Sequence, residues 1–142
     1  MTETEVYRAI VTTADIDHLG HMNVGRYMGI CGDGVFAFQA LLGLDHADIR
    51  DGRQISFAAV HAECDFRSEV RVGETLALFM SVLEIGNRSV LFRHRMTAGL
   101  DARPVFDARL RSALMDLRTR RAVPIPDDIR ARLEPHLAGP AA

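Results

Sequence analysis

One long apolar segment at helical spacing, set among runs that alternate like strands, constrains this chain more than any other feature. From Asn23 to Leu42 the residues Tyr27, Ile30, Val35, Phe38, Leu41 and Leu42 recur near the helical period. Asn23 is placed to cap the start of that helix and Gly43 to stop it. Gly29, Gly32 and Gly34 each weaken a helix by about 1 kcal/mol relative to Ala, so three of them predict close contact with a neighbouring backbone. After a polar connection from Leu44 to Gln54 the period changes. Ile55 to Arg67, Glu74 to Ile85, Ser89 to Ala98 and Pro104 to Leu117 read as strands, and Val6 to Thr13 as a first strand ahead of the helix. The dividers Val72-Gly73-Glu74, Gly86-Asn87-Arg88 and Gly99-Leu100-Asp101-Ala102-Arg103 predict antiparallel hairpins, and Pro126-Asp127-Asp128 opens a short helix over Asp127 to Leu137. One helix against one antiparallel sheet is an α+β layer arrangement, with the helix on the concave face of a curved sheet. The sheet edge stays open unless another subunit covers it, which predicts a dimer.

The 142 residues predict a single domain, 1–142, and a formal charge of -2 argues against a nucleic-acid binder held by phosphate contacts. Cys31 and Cys64 form neither a disulfide framework nor a metal-ligand spacing, and read as small apolar core residues. The acidic start Met1-Thr2-Glu3-Thr4-Glu5 lacks the apolar core of a leader, and the apolar stretch from Val35 to Leu44 is broken by Gln39 and Gly43. No run reaches the roughly 18 apolar residues of a membrane span. A cytoplasmic protein with free thiols is the expectation. Every basic residue is Arg, which reads as codon bias rather than as a phosphate site.

The chemistry-bearing residues concentrate in Asp15-Ile16-Asp17-His18-Leu19-Gly20-His21-Met22-Asn23, followed by Tyr27. Asp17, in a loop beside a helix start, can act as an attacking carboxylate or as a general base for water. The unpaired N–H groups of that helix start can face a developing oxyanion, a kind of donor worth about 3 to 4 kcal/mol where one has been removed elsewhere. On the residues alone, a turn carboxylate is an equal reading for Asp17. Asp15 reads as structural, and Asn23 chiefly as the helix cap. His18 and His21 can orient Asp17, hold a water or sit at the rim; a metal would need two or three further ligands that no local spacing supplies. Asp33, on the long helix, is the rival carboxylate. His61, Glu63 and Asp65 alternate on one strand face and read as solvent or subunit contact. Arg88 and Ser89 occupy a turn, with Arg93 and Arg95 on the strand beyond it.

The pattern Asp15-x-Asp17-x-x-Gly20-His21-x-Asn23-x-x-x-Tyr27, ahead of a long helix and four strands, resembles the hotdog-fold thioesterases related to 4-hydroxybenzoyl-CoA thioesterase. Val72-Gly73-Glu74, Gly86-Asn87-Arg88-Ser89 and Thr119 to Pro126 also look like family positions, so the resemblance covers nearly the whole chain. It implies a hotdog fold, a dimer or dimer of dimers with active sites at the subunit interface, and hydrolysis of a small or medium acyl thioester of coenzyme A or acyl carrier protein without a cofactor. By position, Asp17 matches the catalytic carboxylate and the backbone N–H of Asn23 or Val24 the carbonyl donor. Gly20 would permit a tight approach. His18, His21, Tyr27, Asp33, Arg88 and Ser89 fall to substrate binding, the two turn residues toward the coenzyme A phosphates. His21-Met22-Asn23 stands where many relatives carry an apolar or aromatic run, which leaves the acyl group open. The alternatives are a non-catalytic acyl-CoA-binding hotdog module and an enoyl-CoA hydratase-like hotdog enzyme.

Overall fold

A computed structural model describes residues 3–138; Met1 and Thr2 of the acidic start and residues 139–142 of the tail lie outside the described residues. The elements are β1 (Thr4–Ile10), α1 (Val24–Leu41), α2 (His46–Arg50), β2 (Ile55–Phe66), β3 (Thr75–Ile85), β4 (Ser89–Ala98), β5 (Arg103–Asp116), β6 (Arg121–Ala122) and α3 (Asp127–Leu133). The sheet runs β1-β3-β4-β5-β2, antiparallel throughout, with β6 paired to β5. The curved sheet wraps one side of α1, as the α+β hotdog reading expects.

Alternation decides what the strands bury. On β4, Phe92, His94 and Met96 point into the core, while Leu91, Arg93 and Arg95 face the other way. The helix answers with Tyr27, Ile30, Cys31, Gly34, Phe38 and Gln39, and each large apolar side chain taken out of water contributes about 1.5 to 3 kcal/mol. The core splits along the helix into a half around Tyr27, Ile30 and Phe106, near the helix start, and a half around Phe38, Phe92 and Leu114. Of the three mid-helix glycines only Gly34 makes a close approach, and it is to side chains rather than to the neighbouring backbone expected: a Cβ there would lie 2.5 Å from the Leu78 side chain and 3.1 Å from that of Val6. Gly29 and Gly32 face outward. Gln39 is fully buried, and its Oε1 accepts from Ser56 Oγ at 3.1 Å and from the Phe57 N–H at 3.0 Å, tying the helix to the start of β2.

Several expectations are corrected. The segment between β2 and β3 is not a hairpin, because β2 pairs with β5 at the far edge while β3 lies between β1 and β4. The chain crosses instead beneath the start of α1, where Val70 is buried and its carbonyl accepts the Met22 N–H at 2.8 Å. β1 stops at Ile10 rather than Thr13, since Thr13–Asp15 form a 3-10 turn whose Asp15 carboxylate accepts the Thr12 N–H at 2.8 Å. The connection after α1 holds α2, capped by Asp45, which accepts from the Asp48 N–H at 2.9 Å. α3 gives way to a 3-10 turn at Glu134–His136, where Pro135 brings no N–H for the helix ladder. Cys31 is buried as expected, but Cys64 is exposed, because α1 leaves the outer half of β2 uncovered. From Ala59 to Phe66 every residue of that edge strand is exposed, His61, Glu63 and Asp65 included.

Candidate active site

The loop from Asp17 to Met22 folds back on itself. The Asp17 N–H donates to the His21 carbonyl at 3.2 Å, the Gly20 N–H donates to the Asp17 carbonyl at 3.1 Å, and Ile16 bridges to Met22. Closing so short a loop requires Gly20 at φ +82°, in the left-handed region. No protein atom lies within 4 Å of where its Cβ would stand, so within the chain it is the turn that calls for glycine here.

The loop aims the Asp17 carboxylate at the helix start. Oδ1 accepts the Leu19 N–H at 2.8 Å, and Oδ2 accepts from Nδ2 of Asn23 at 3.4 Å. The other end of the same amide caps α1: Oδ1 of Asn23 accepts the Gly25 N–H at 2.9 Å. The Arg26 N–H donates to the Asn23 carbonyl at 3.0 Å, and the Asn23 N–H donates to the Asp15 carbonyl at 2.8 Å. Of the two backbone donors considered from the sequence, that of Asn23 is therefore engaged. The N–H of Val24 carries no hydrogen bond among the described residues, and it stands where the helix dipole is positive.

Beside this helix start opens a cavity of about 350 Å³. Met22, Val24, Tyr27 and Phe66 form its apolar wall, with His21, Arg67, Ser68 and Glu69 around them. Tyr27 lies with its ring centroid 5.1 Å from Phe66, edge to face, and 5.0 Å from Phe106. Burial, then the nearby Glu74, push the Tyr27 phenol up from its ordinary value, Arg103 working against them. The hydroxyl is therefore neutral at working pH. His21 brings Nδ1 within 3.3 Å of the Met22 carbonyl, whereas His18 is exposed. Among the described residues no three His, Cys, Asp or Glu side chains are grouped to hold a metal ion.

Three of the sequence candidates lie away from this cluster within one chain. Asp33 is exposed on the outer side of α1, about 14 Å along the helix from Val24. Arg88 and Ser89 occupy the β3–β4 turn, at the end of the sheet opposite the Asp17 loop. The 11 residues of β3 separate the two ends by roughly 35 Å. Sequence reasoning missed the wall supplied by Phe66, Ser68 and Glu69, and Arg103, which holds it. Arg103 donates to Ser68 Oγ at 3.1 Å, to the Glu69 carbonyl at 3.0 Å and to the Glu74 carboxylate at 2.6 Å. The available signal was an aromatic ending a strand, followed by Arg67-Ser68-Glu69 ahead of the apolar Val70.

A family model for the thioesterase-like superfamily matches residues 11–133, and the chain belongs to that superfamily. Membership agrees with the hotdog architecture of one long helix wrapped by a curved antiparallel sheet. The chain is 25% identical over 131 residues, 92% of its length, to an L-carnitine dehydrogenase/betainyl-CoA thioesterase of Rhizobium meliloti, of which it spans 26%. Solved structures agree on the fold. A Staphylococcus aureus protein in complex with CoA superposes with a TM-score of 0.84 at 18% identity, over 96% of this chain and 85% of that one. The 1,4-dihydroxy-2-naphthoyl-CoA thioesterase of Synechocystis superposes with a TM-score of 0.73 at 17% identity, over 92% of this chain and 95% of that one.

Proposed function

We propose that the chain is a single-domain, cytoplasmic acyl-CoA thioesterase that hydrolyses a small or medium acyl thioester, with Asp17 as nucleophile or general base and the Val24 N–H as the carbonyl donor. The observation that carries this reading is the double use of the Asn23 amide, which caps the helix and holds Asp17 while the neighbouring Val24 N–H stays open. With Asp17 as base, its carboxylate takes a proton from water and the hydroxide adds to the thioester carbon. The oxyanion then faces the Val24 N–H, the C–S bond breaks, and the coenzyme A thiolate leaves and is protonated. With Asp17 as nucleophile, an acyl-aspartyl anhydride forms first and water cleaves it. After a single turnover in ¹⁸O-labelled water, label in the Asp17 carboxylate would establish the anhydride route with water attacking the aspartyl carbon, since general-base catalysis exchanges no Asp17 oxygen.

The acyl group fits the cavity walled by Met22, Val24, Tyr27 and Phe66. The uncovered outer half of β2 supports a homo-oligomer in which a second subunit closes the cavity mouth beside Phe66. Such an assembly is also what would bring a neighbour's Arg88 and Ser89 toward the coenzyme A phosphates. The test is hydrolysis of an acyl-CoA panel by the wild type and Asp17→Asn. The expected result is turnover of at least one thioester, reduced by about 10² or more in the variant. Equal, background-level rates for both would sink the reading, and hydration of crotonyl-CoA without thioester cleavage would favour a hydratase.

A second reading concerns the acyl group. Phe66 is 48% exposed and lines the cavity together with Glu69, whose exposed pairing with Arg71 at 3.5 Å leaves it able to face a quaternary ammonium group, with Arg67 also on the lining, and one relative is named for betainyl-CoA. Betainyl-CoA against its neutral isostere 3,3-dimethylbutyryl-CoA isolates the charge. A cation preference of about 3- to 30-fold in kcat/KM supports this reading; no preference removes it and leaves the neutral acyl groups.

A further inference from the structure

We infer that Asp15 and Arg26 form a positioning pair that sets the Asp17 loop against the Val24 N–H, an inference that rests on the thioesterase reading of those two groups. Asp15 is the residue on which the loop converges. Its Oδ2 accepts from the Thr12 N–H at 2.8 Å and from the Thr12 hydroxyl at 3.2 Å, which fixes the turn entering the loop. Its carbonyl accepts the Asn23 N–H at 2.8 Å, which fixes the exit. Its Oδ1 lies 3.0 Å from Arg26 Nε, which reaches back from the first turn of α1.

Arg26 is tied at both ends as well. Its N–H donates to the Asn23 carbonyl at 3.0 Å, and its Nε is shut off from solvent, with the Asp15 contact an ion pair rather than an aligned hydrogen bond. The side chains of Asp15 and Arg26 are 14% and 32% exposed, so the pair is sheltered and one partner cannot be removed without leaving a charge half-buried. The Asn23 N–H matters most chemically. While the Asp15 carbonyl occupies it, the Val24 N–H is the open backbone donor in the first turn of α1 among the described residues. Once the carboxylate is neutralised or Arg26 is lost, the loop exit and helix start shift together, and the carboxylate and donor no longer bracket one carbonyl carbon.

The test is steady-state kinetics of Asp15→Asn, Arg26→Met, the double variant and Arg26→Lys, on the acyl-CoA that the wild type hydrolyses fastest. The expected result is a fall in kcat of tenfold or more with KM within about twofold, because the cavity wall is untouched. The double variant should be no slower than the worse single one, since both changes break the same contact. Arg26→Lys should recover part of kcat by restoring the charge, and it keeps the inference testable where Arg26→Met fails to fold. Variants that lose thermal stability but keep kcat would assign the pair a purely structural role and overturn the inference. A wild type that cleaves no thioester would bring down the thioesterase reading, and this inference with it.

Discussion

His94 offers a stability measurement whose size follows from the structure. It sits on the core face of β4 between Phe92 and Met96, in register with Met80 on β3 and Ala108 on β5, and it is fully buried. Neither ring nitrogen has a hydrogen-bond partner among the described residues. Burial pushes the imidazole from 6.5 down to about 4, so the folded protein holds it neutral while the unfolded chain protonates it below about pH 6.5. Between those two values the unfolded state binds the extra proton, and stability falls as the pH falls. The gap is worth about 3 kcal/mol, at about 1.4 kcal/mol per tenfold difference in proton affinity, a large part of the 5 to 15 kcal/mol that holds a typical domain together. The perturbation is His94→Leu, which keeps the bulk and removes the proton site. Urea unfolding of both proteins from pH 7 to pH 4 should give free energies that diverge, the wild type losing about 3 kcal/mol more than the variant. At pH 7 the variant should be at least as stable, because it no longer buries two unpartnered nitrogens. Parallel curves would refute the argument, as would an NMR titration of the His94 ring with a midpoint near 6.5 in the folded protein.

Three further predictions follow from the same structure. Asn23→Asp should keep the acceptor that caps the helix at the Gly25 N–H but lose the donor to Asp17. It would place a second carboxylate where Nδ2 now meets Asp17 at 3.4 Å, so the melting temperature at neutral pH should fall, and the fall should shrink at high salt as the two like charges are screened. Gly34→Ala and Gly32→Ala should move the melting temperature in opposite directions. The first sets a Cβ against Leu78 in the core, costing about 1 to 3 kcal/mol, and the second adds a methyl in open space and gains about 1 kcal/mol in helix propensity. Cys31 is buried and its thiol pushed up to about 12, chiefly by burial, so mass spectrometry after maleimide treatment of the native protein at pH 8 should find it unmodified.

How much was legible in the sequence depended on whether the signal was local. The helix from Asn23 was readable because an amide cap, a helical period and a terminal glycine lie in one window, and the structure places α1 at Val24–Leu41 with Asn23 accepting from Gly25. The β4 boundaries were readable because Gly86-Asn87-Arg88 and Gly99-Leu100 punctuate both ends. The partner of β2 was not. A glycine turn at Gly73 looks the same whether the next strand pairs with the last or crosses to another place in the sheet, and what decides here is Val70 buried under a helix start almost 50 residues earlier in the chain. The cavity wall was hidden for the same reason: Phe66 reads as an ordinary strand residue until Tyr27 and Phe106 are seen against it. The exposure of Cys64 likewise follows from how far α1 covers the sheet, which no local pattern encodes.

The chemistry of the site is concentrated in a choice of side chain at residue 23. The position must accept a hydrogen bond from a helix-start N–H and donate one to a carboxylate across the loop, from opposite sides of one short side chain. Aspartate accepts but cannot donate, serine offers a single oxygen for both tasks, and glutamine sets its amide one carbon farther out. Asparagine satisfies both demands at Gly25 and Asp17 together. Its backbone, meanwhile, is consumed at both ends, by the Asp15 carbonyl and the Arg26 N–H. The free donor is thereby pushed one residue on, to Val24, which also lines the cavity. The Asp17 carboxylate, the open N–H and the cavity wall thus share a single anchor, so a change at residue 23 should alter all three while a change at His18 or Asp33 should alter none of them.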